Sequence, residues 1–119
     1  VRFLGYLDDF ELPAIYSGAE GFVFPSLYEG FGIPVVEAMS CGTPVVTANT
    51  TSLPEVCGDA AVFVNPEDVD SIADGMRQIV EDDRLRATLR QRGLQQSSRF
   101  TWERAAELTW NVLERIRLE

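Results

Sequence analysis

The chain has 119 residues, the size of one compact domain. Its 45% hydrophobic and 24% charged content excludes a fibrous or disordered chain. Ten basic residues against nineteen acidic give a net charge of −9, and so acidic a surface repels a phosphodiester backbone, which argues against nucleic acid as a partner. All ten basic residues are arginine, and there is no lysine or histidine. Acid–base chemistry therefore falls to carboxylates, tyrosine or cysteine. No apolar run reaches the roughly 18 residues of a membrane helix, and no signal-peptide pattern opens the chain. It starts at Val1, and the expectation is of a piece of a longer polypeptide.

In chain order, Val1–Tyr6 reads as a short apolar strand. Asp8 and Asp9 then precede a helical pattern carrying Leu12, Ile15, Tyr16 and Ala19, which Gly18–Gly21 ends. Gly21–Pro25 is apolar on consecutive positions, as a strand covered on both faces should be. The glycine-rich loop Tyr28–Gly32 leads into a helix over Ile33–Ser40, with Pro34 in its first turn and Gly42 just past its end. Pro44–Ala48 is a third strand, Ser52–Val56 a helical turn and Ala61–Val64 a fourth strand. Three helices follow, with Asp68, then Asp82 or Asp83, and finally Thr101 at their starts. The last places Trp102, Ala105, Ala106, Thr109, Leu113 and Ile116 on one face. Alternating strands and helices predict an α/β fold, a Rossmann-like parallel sheet with flanking helices. Residues 1–100 make its α/β portion and 101–119 a closing helix.

Ligands of open parallel sheets bind at the carboxyl ends of strands, where helix N-termini also point. Ser26–Gly32 is such a loop. Gly30 and Gly32 admit close backbone approach, and the amides opening the Ile33 helix, with its dipole, can hold a diphosphate without a basic side chain. Glu29 and Glu37 flank this loop. Carboxylates repel phosphate and accept paired hydrogen bonds from a vicinal diol, so sugar hydroxyls are their match. Glu37 lies roughly 6 Å along the helix axis. One carboxylate can thus grip a ribose while the other meets a sugar beyond the diphosphate.

The run P-S-L-Y-E-G-F-G-I-P-V-V-E-A-M-S-C-G-T-P-V-V resembles the signature of retaining, family-4-type GT-B glycosyltransferases. So do G-Y-L, L-P-A-I-Y-S-G-A, S-L-P-E-V-C-G-D-A-A-V-F-V-N-P-E-D and the terminal R-F-T-W-E-R-A-A. The resemblance covers essentially the whole chain and implies the second half of the GT-B C-terminal, donor-binding domain. It implies Glu29 as the catalytic residue beside the donor sugar, with amides around Gly30, Phe31, Gly32 and Ile33 on sugar hydroxyls. It places those of Val35 and Val36 on the diphosphate, Glu37 on the ribose, and Tyr6 and Leu7 beside the base. The donor would be a UDP- or GDP-sugar, the anomeric configuration retained, and no metal or other cofactor required. The parent enzyme would be cytoplasmic, peripheral to the inner membrane where its acceptor is a lipid.

The family's two preceding strands, its diphosphate-clamping arginine–lysine pair and its N-terminal acceptor domain are not in this sequence. In the family's strand order those two strands lie between the Val1 strand and the Phe22 strand. The second expectation is therefore an exposed apolar sheet edge, self-association into a homodimer through it, and no transfer activity by this chain alone. A non-catalytic half-domain that folds and associates is the rival reading.

Several motifs read as structure. Asp68-Val69-Asp70 is a D-x-D placed to cap a helix, and Asp8-Asp9 and Asp82-Asp83 read as further helix-start acids. Trp102 and Trp110 fit packing. Arg84, Arg86, Arg90 and Arg92 read as a solvated face, and Glu55 as a cap or loop residue. Cys41 and Cys57 form no CxxC and read as free thiols.

Overall fold

The computed structural model describes residues 1–118; Glu119, the end of the expected closing helix, lies outside the described residues. Three strands, β1 (Phe22–Phe24), β2 (Val45–Ala48) and β3 (Ala61–Val64), form one parallel sheet in the order β1-β2-β3. Val23 pairs with Val46 and Val46 with Val62. Helix α1 (Leu12–Gly18) precedes β1, α2 (Ile33–Ser40) joins β1 to β2, and α3 (Leu53–Cys57) joins β2 to β3. Helices α4 (Val69–Glu81), α5 (Asp83–Ser97) and α6 (Trp102–Leu118) follow.

Both faces of the sheet are covered. On one, Phe22, Phe24, Val45, Ala61 and Phe63 pack with Val35, Ala38 and Met39 of α2 and Leu53 and Cys57 of α3. On the other, Val23, Val46, Val62 and Val64 meet Ile72 and Ile79 of α4 and Leu85 and Leu89 of α5. This two-sided burial is why the strands read as continuous apolar runs. Gly75 lets α4 lie close on the sheet, since a Cβ there would come within 2.5 Å of Val64 Cγ1.

The expected punctuation is present. Gly42 (φ 72) donates its N–H to Met39 O at 3.0 Å, and Thr43 donates to Ala38 O at 3.0 Å. These are the two bonds that close a helix on a left-handed residue. Asp68 caps α4 by accepting from the N–H groups of Asp70 (2.9 Å) and Ser71 (3.3 Å), and Asp82 caps α5 through Leu85 N–H (2.9 Å). The Thr101 hydroxyl accepts from Arg104 N–H at 3.2 Å at the start of α6.

Four expectations need correction. Val1–Tyr6 is not a strand: residues 1–7 have no regular structure, and Val1, Phe3 and Tyr6 are almost fully exposed. A strand draws its hydrogen-bond partners from a neighbour, and none lies beside this segment among the described residues. Asp8 and Asp9 do not cap α1. Asp8 instead makes a turn with Glu11, accepting at its carbonyl (2.9 Å) and donating to Glu11 Oε2 (2.9 Å), so the helix starts three residues later. Arg86 is not simply solvated, because it donates to the Ile79 and Val80 carbonyls at 2.8 and 2.7 Å and closes the end of α4. Finally, Trp102 and Trp110 are exposed rather than packed, as is the whole apolar face of α6. The radius of gyration, 16.1 Å, exceeds the roughly 13.5 Å of a compact domain this size, as expected of a chain whose ends stand off its body.

Candidate donor-binding site

Loops following β1 and β2 meet at the carboxyl end of the sheet, and side-chain hydrogen bonds join them. In the first loop, the Ser26 hydroxyl donates to Glu29 Oε1 at 2.8 Å. Glu29 N–H donates to Thr51 Oγ1 at 3.2 Å, and the Ser52 hydroxyl is shared between the carbonyls of Glu29 (3.0 Å) and Phe31 (3.1 Å). The half-buried Glu29 is thus fixed at its backbone from both sides and at one carboxylate oxygen. The Phe31 ring meets Phe100 edge-on at 5.4 Å, which ties the loop to the segment between α5 and α6.

Gly32 is the backbone pivot. It sits at φ 98, ψ 48 as the residue before α2, and a Cβ there would come within 2.6 Å of Leu53 Cδ2. Conformation and space both require glycine. Gly30 differs, for a Cβ on it would meet nothing within 4 Å and its φ is not positive.

Among the described residues, the N–H groups of Gly30, Phe31, Gly32 and Ile33 have no hydrogen-bond acceptor. Those of Val35 and Val36, expected on the diphosphate, are already turned to Gly32 O at 3.0 and 3.5 Å. Gly32 is the N-cap, and its carbonyl takes the first bonds of the helix, so the open amides nearest to Val35 and Val36 are those of Gly32 and Ile33.

Glu37, exposed on the second turn of α2, accepts from the Tyr16 hydroxyl at 3.3 Å through Oε2. Burial, followed by the negative charge of Glu37 and this hydrogen bond, raises the Tyr16 phenol above its ordinary value. A cavity of about 300 Å³ opens beside the pair, bordered by Leu12, Pro13 and Ser40. A second cleft, about 400 Å³, lies between Gly18, Pro44 and Arg90, at the amino end of β2 and away from the carboxyl-end loops where ligands of such sheets bind.

The structure therefore groups Glu29, Gly30, Phe31 and Gly32 in the loop that opens α2 at Ile33 and sets Glu37 beyond them on that helix. It does not join Tyr6 or Leu7 to them: both lie in the irregular first segment, and no hydrogen bond or aromatic contact among the described residues links either to the glycine loop. Sequence reasoning missed Tyr16, Thr51 and Ser52. The available signal was the hydroxyl-rich Thr50-Thr51-Ser52 one residue past the third expected strand, since loops at the carboxyl ends of parallel strands are where ligands bind. Thr51 adopts φ 55, an outlier for a β-branched residue of the kind that gathers at functional sites. Cys41 is half-buried and Cys57 buried, both free, and burial pushes the Cys57 thiol up to about 12.

Comparison with known proteins gives the family and the fold. The family model described as glycosyl transferases group 1 matches residues 1–96. The chain is 50% identical over 112 residues to O-antigen chain mannosyltransferase B of Escherichia coli, covering 94% of this chain and 29% of that protein. It is 38% identical to the MMP alpha-(1->4)-mannosyltransferase of Mycolicibacterium hassiacum, covering 92% of this chain and 28% of that one. Among solved structures, a sucrose-phosphate synthase from Thermosynechococcus elongatus superposes with a TM-score of 0.89 at 30% identity, over 99% of this chain and 30% of that one. The chain thus spans under a third of the length of these relatives. Its sheet and flanking helices are the Rossmann-like fold of a GT-B donor-binding domain, and it belongs to the glycosyl transferases group 1 family.

Proposed function

We propose that this chain is the nucleotide-sugar-binding portion of a retaining, metal-independent hexosyltransferase whose donor is a UDP- or GDP-sugar. The names of the mannosyltransferase relatives favour mannose as the hexose. The observation that carries the reading is the division of labour at the carboxyl end of the sheet. The amides of Gly30, Phe31, Gly32 and Ile33 have no acceptor among the described residues, while Glu29 and Glu37 supply acceptors. Sugar hydroxyls go to Glu29, whose second oxygen is left free by the Ser26 bond, and to the amides of Gly30 and Phe31. The amides of Gly32 and Ile33 and the α2 dipole attract the diphosphate, and Glu37 takes the ribose diol. Gly30, required neither by φ nor by packing, fits a position over which a ligand passes closely. Near the anomeric carbon Glu29 stabilises developing positive charge.

Titration calorimetry with GDP-mannose and UDP-glucose tests the reading: one of them binds, and Glu37→Ala abolishes the heat. Equal binding by the variant, or no binding by either donor, overturns it. By itself the chain transfers no sugar, and turnover of a radiolabelled donor onto any acceptor by the purified chain would contradict that.

A second reading, a module that self-associates, is favoured by the apolar face of α6 and by β1, the one uncovered and the other paired on one side only among the described residues. Its occupant is a second copy of the chain. A concentration-independent monomer in sedimentation excludes it.

A further inference from the structure

We propose that Tyr16 is a positioning residue that orients the Glu37 carboxylate toward a ribose diol and so sets the preference for ribonucleotides over 2′-deoxyribonucleotides. The proposal rests on the reading of Glu37 as the ribose-binding group and adds what makes that group selective.

Glu37 is exposed on α2, and the hydrogen bond from Tyr16 at 3.3 Å to Oε2 is the one its carboxylate makes among the described residues. No arginine pairs with it there. A free glutamate of this kind samples many rotamers, and ordering it on ligand binding costs affinity. Tyr16 supplies the missing anchor because it is itself held at two points. Its ring meets Phe22 of β1 edge-on at 5.2 Å. Its backbone carbonyl accepts the hydroxyl of Thr43, itself 2% exposed, at 2.7 Å. The anchor therefore reaches from the sheet through α1 to the carboxylate on α2.

The hydrogen bond occupies one lone pair of Oε2. Oε1 and the remaining lone pair stay available, and these suffice for a vicinal diol that presents two donors side by side. The cavity of about 300 Å³ beside the pair leaves room for a group of that size. With its phenol raised above the ordinary value, Tyr16 remains a donor throughout the neutral range.

The test compares GDP and UDP with their 2′-deoxy analogues, by calorimetry on the wild-type chain, Glu37→Gln and Tyr16→Phe. Tyr16→Phe keeps the ring on Phe22, and an unchanged thermal midpoint confirms that the fold is kept. The expected result is that the wild type binds the ribonucleotide more tightly than its deoxy form. Tyr16→Phe then narrows that ratio roughly two- to tenfold, the size of one net hydrogen bond, in the same direction as Glu37→Gln. A purely structural role for Tyr16 would weaken both nucleotides alike and leave the ratio where it was, which overturns the proposal alone. A wild type that binds neither form, or binds both equally, overturns the reading of Glu37 and the proposal with it. If the ratio collapses in Glu37→Gln but stays intact in Tyr16→Phe, Glu37 binds the ribose without help from Tyr16.

Discussion

The body of this molecule and its two ends carry similarly apolar sequences and behave differently. Between Phe22 and Ser97 the apolar residues close into two layers around the sheet, with Val35, Met39, Val45, Val46 and Leu53 fully buried. At the amino end, Val1, Phe3, Leu4 and Tyr6 are exposed and no strand forms. At the carboxyl end, Trp102, Leu113 and Ile116 are just as uncovered, yet α6 is a continuous helix. Hydrogen bonding explains the contrast. A helix satisfies its backbone groups internally, and α6 adds an N-terminal cap, Glu103 in its first turn and Arg115 and Arg117 in its last, which complement the helix dipole. A strand has to borrow its partners from a neighbour, and residues 1–7 have none among the described residues. Apolar character alone specifies burial only where a second surface is present.

That contrast can be broken or sharpened by substitution. The largest loss of stability is expected for Leu53→Ala. It empties a fully buried site between α3 and the glycine loop and costs about 2–5 kcal/mol in chemical denaturation. Gly32→Ala comes next, at about 1–3 kcal/mol, because it forces an L-residue to φ 98 against Leu53. Denaturation also reads this loss, and the same variant should shift the amide resonances of the Glu29–Phe31 loop. Asp68→Ala removes the cap of α4 and costs about 1 kcal/mol, read as a lowered thermal midpoint. Trp102→Ala, at a side chain 83% exposed, changes stability by less than about 0.5 kcal/mol. A larger effect would mean that α6 is covered in solution, and sedimentation of the same variant would show whether a second copy covers it.

Much of the fold was legible in the sequence because its signals are local. Gly42 and Thr43 after α2, Asp68 before α4 and the doubly covered apolar strands each carry their own physical reason. Residues 1–7 were misread because a strand pattern says nothing about whether a neighbour exists. In the candidate site, the positions of Glu29 in the loop and Glu37 on the following helix could be read from the local sequence pattern. The tie from Thr51 and Ser52 to Glu29, and that from Tyr16 to Glu37, span 21 to 23 positions, so no local pattern announces them. Val35 and Val36 differ, because which amides stay open follows from where α2 starts: with Gly32 as N-cap, its carbonyl takes both.

The most direct test of the donor-site account is to titrate the ¹⁵N-labelled chain with GDP-mannose and UDP-glucose and follow its backbone amides. The account predicts that one donor shifts the signals of Gly30, Phe31, Gly32 and Ile33 together with Glu37, while those of the Gly18–Arg90 cleft stay in place. Shifts confined to that cleft, or none with either donor, would contradict it.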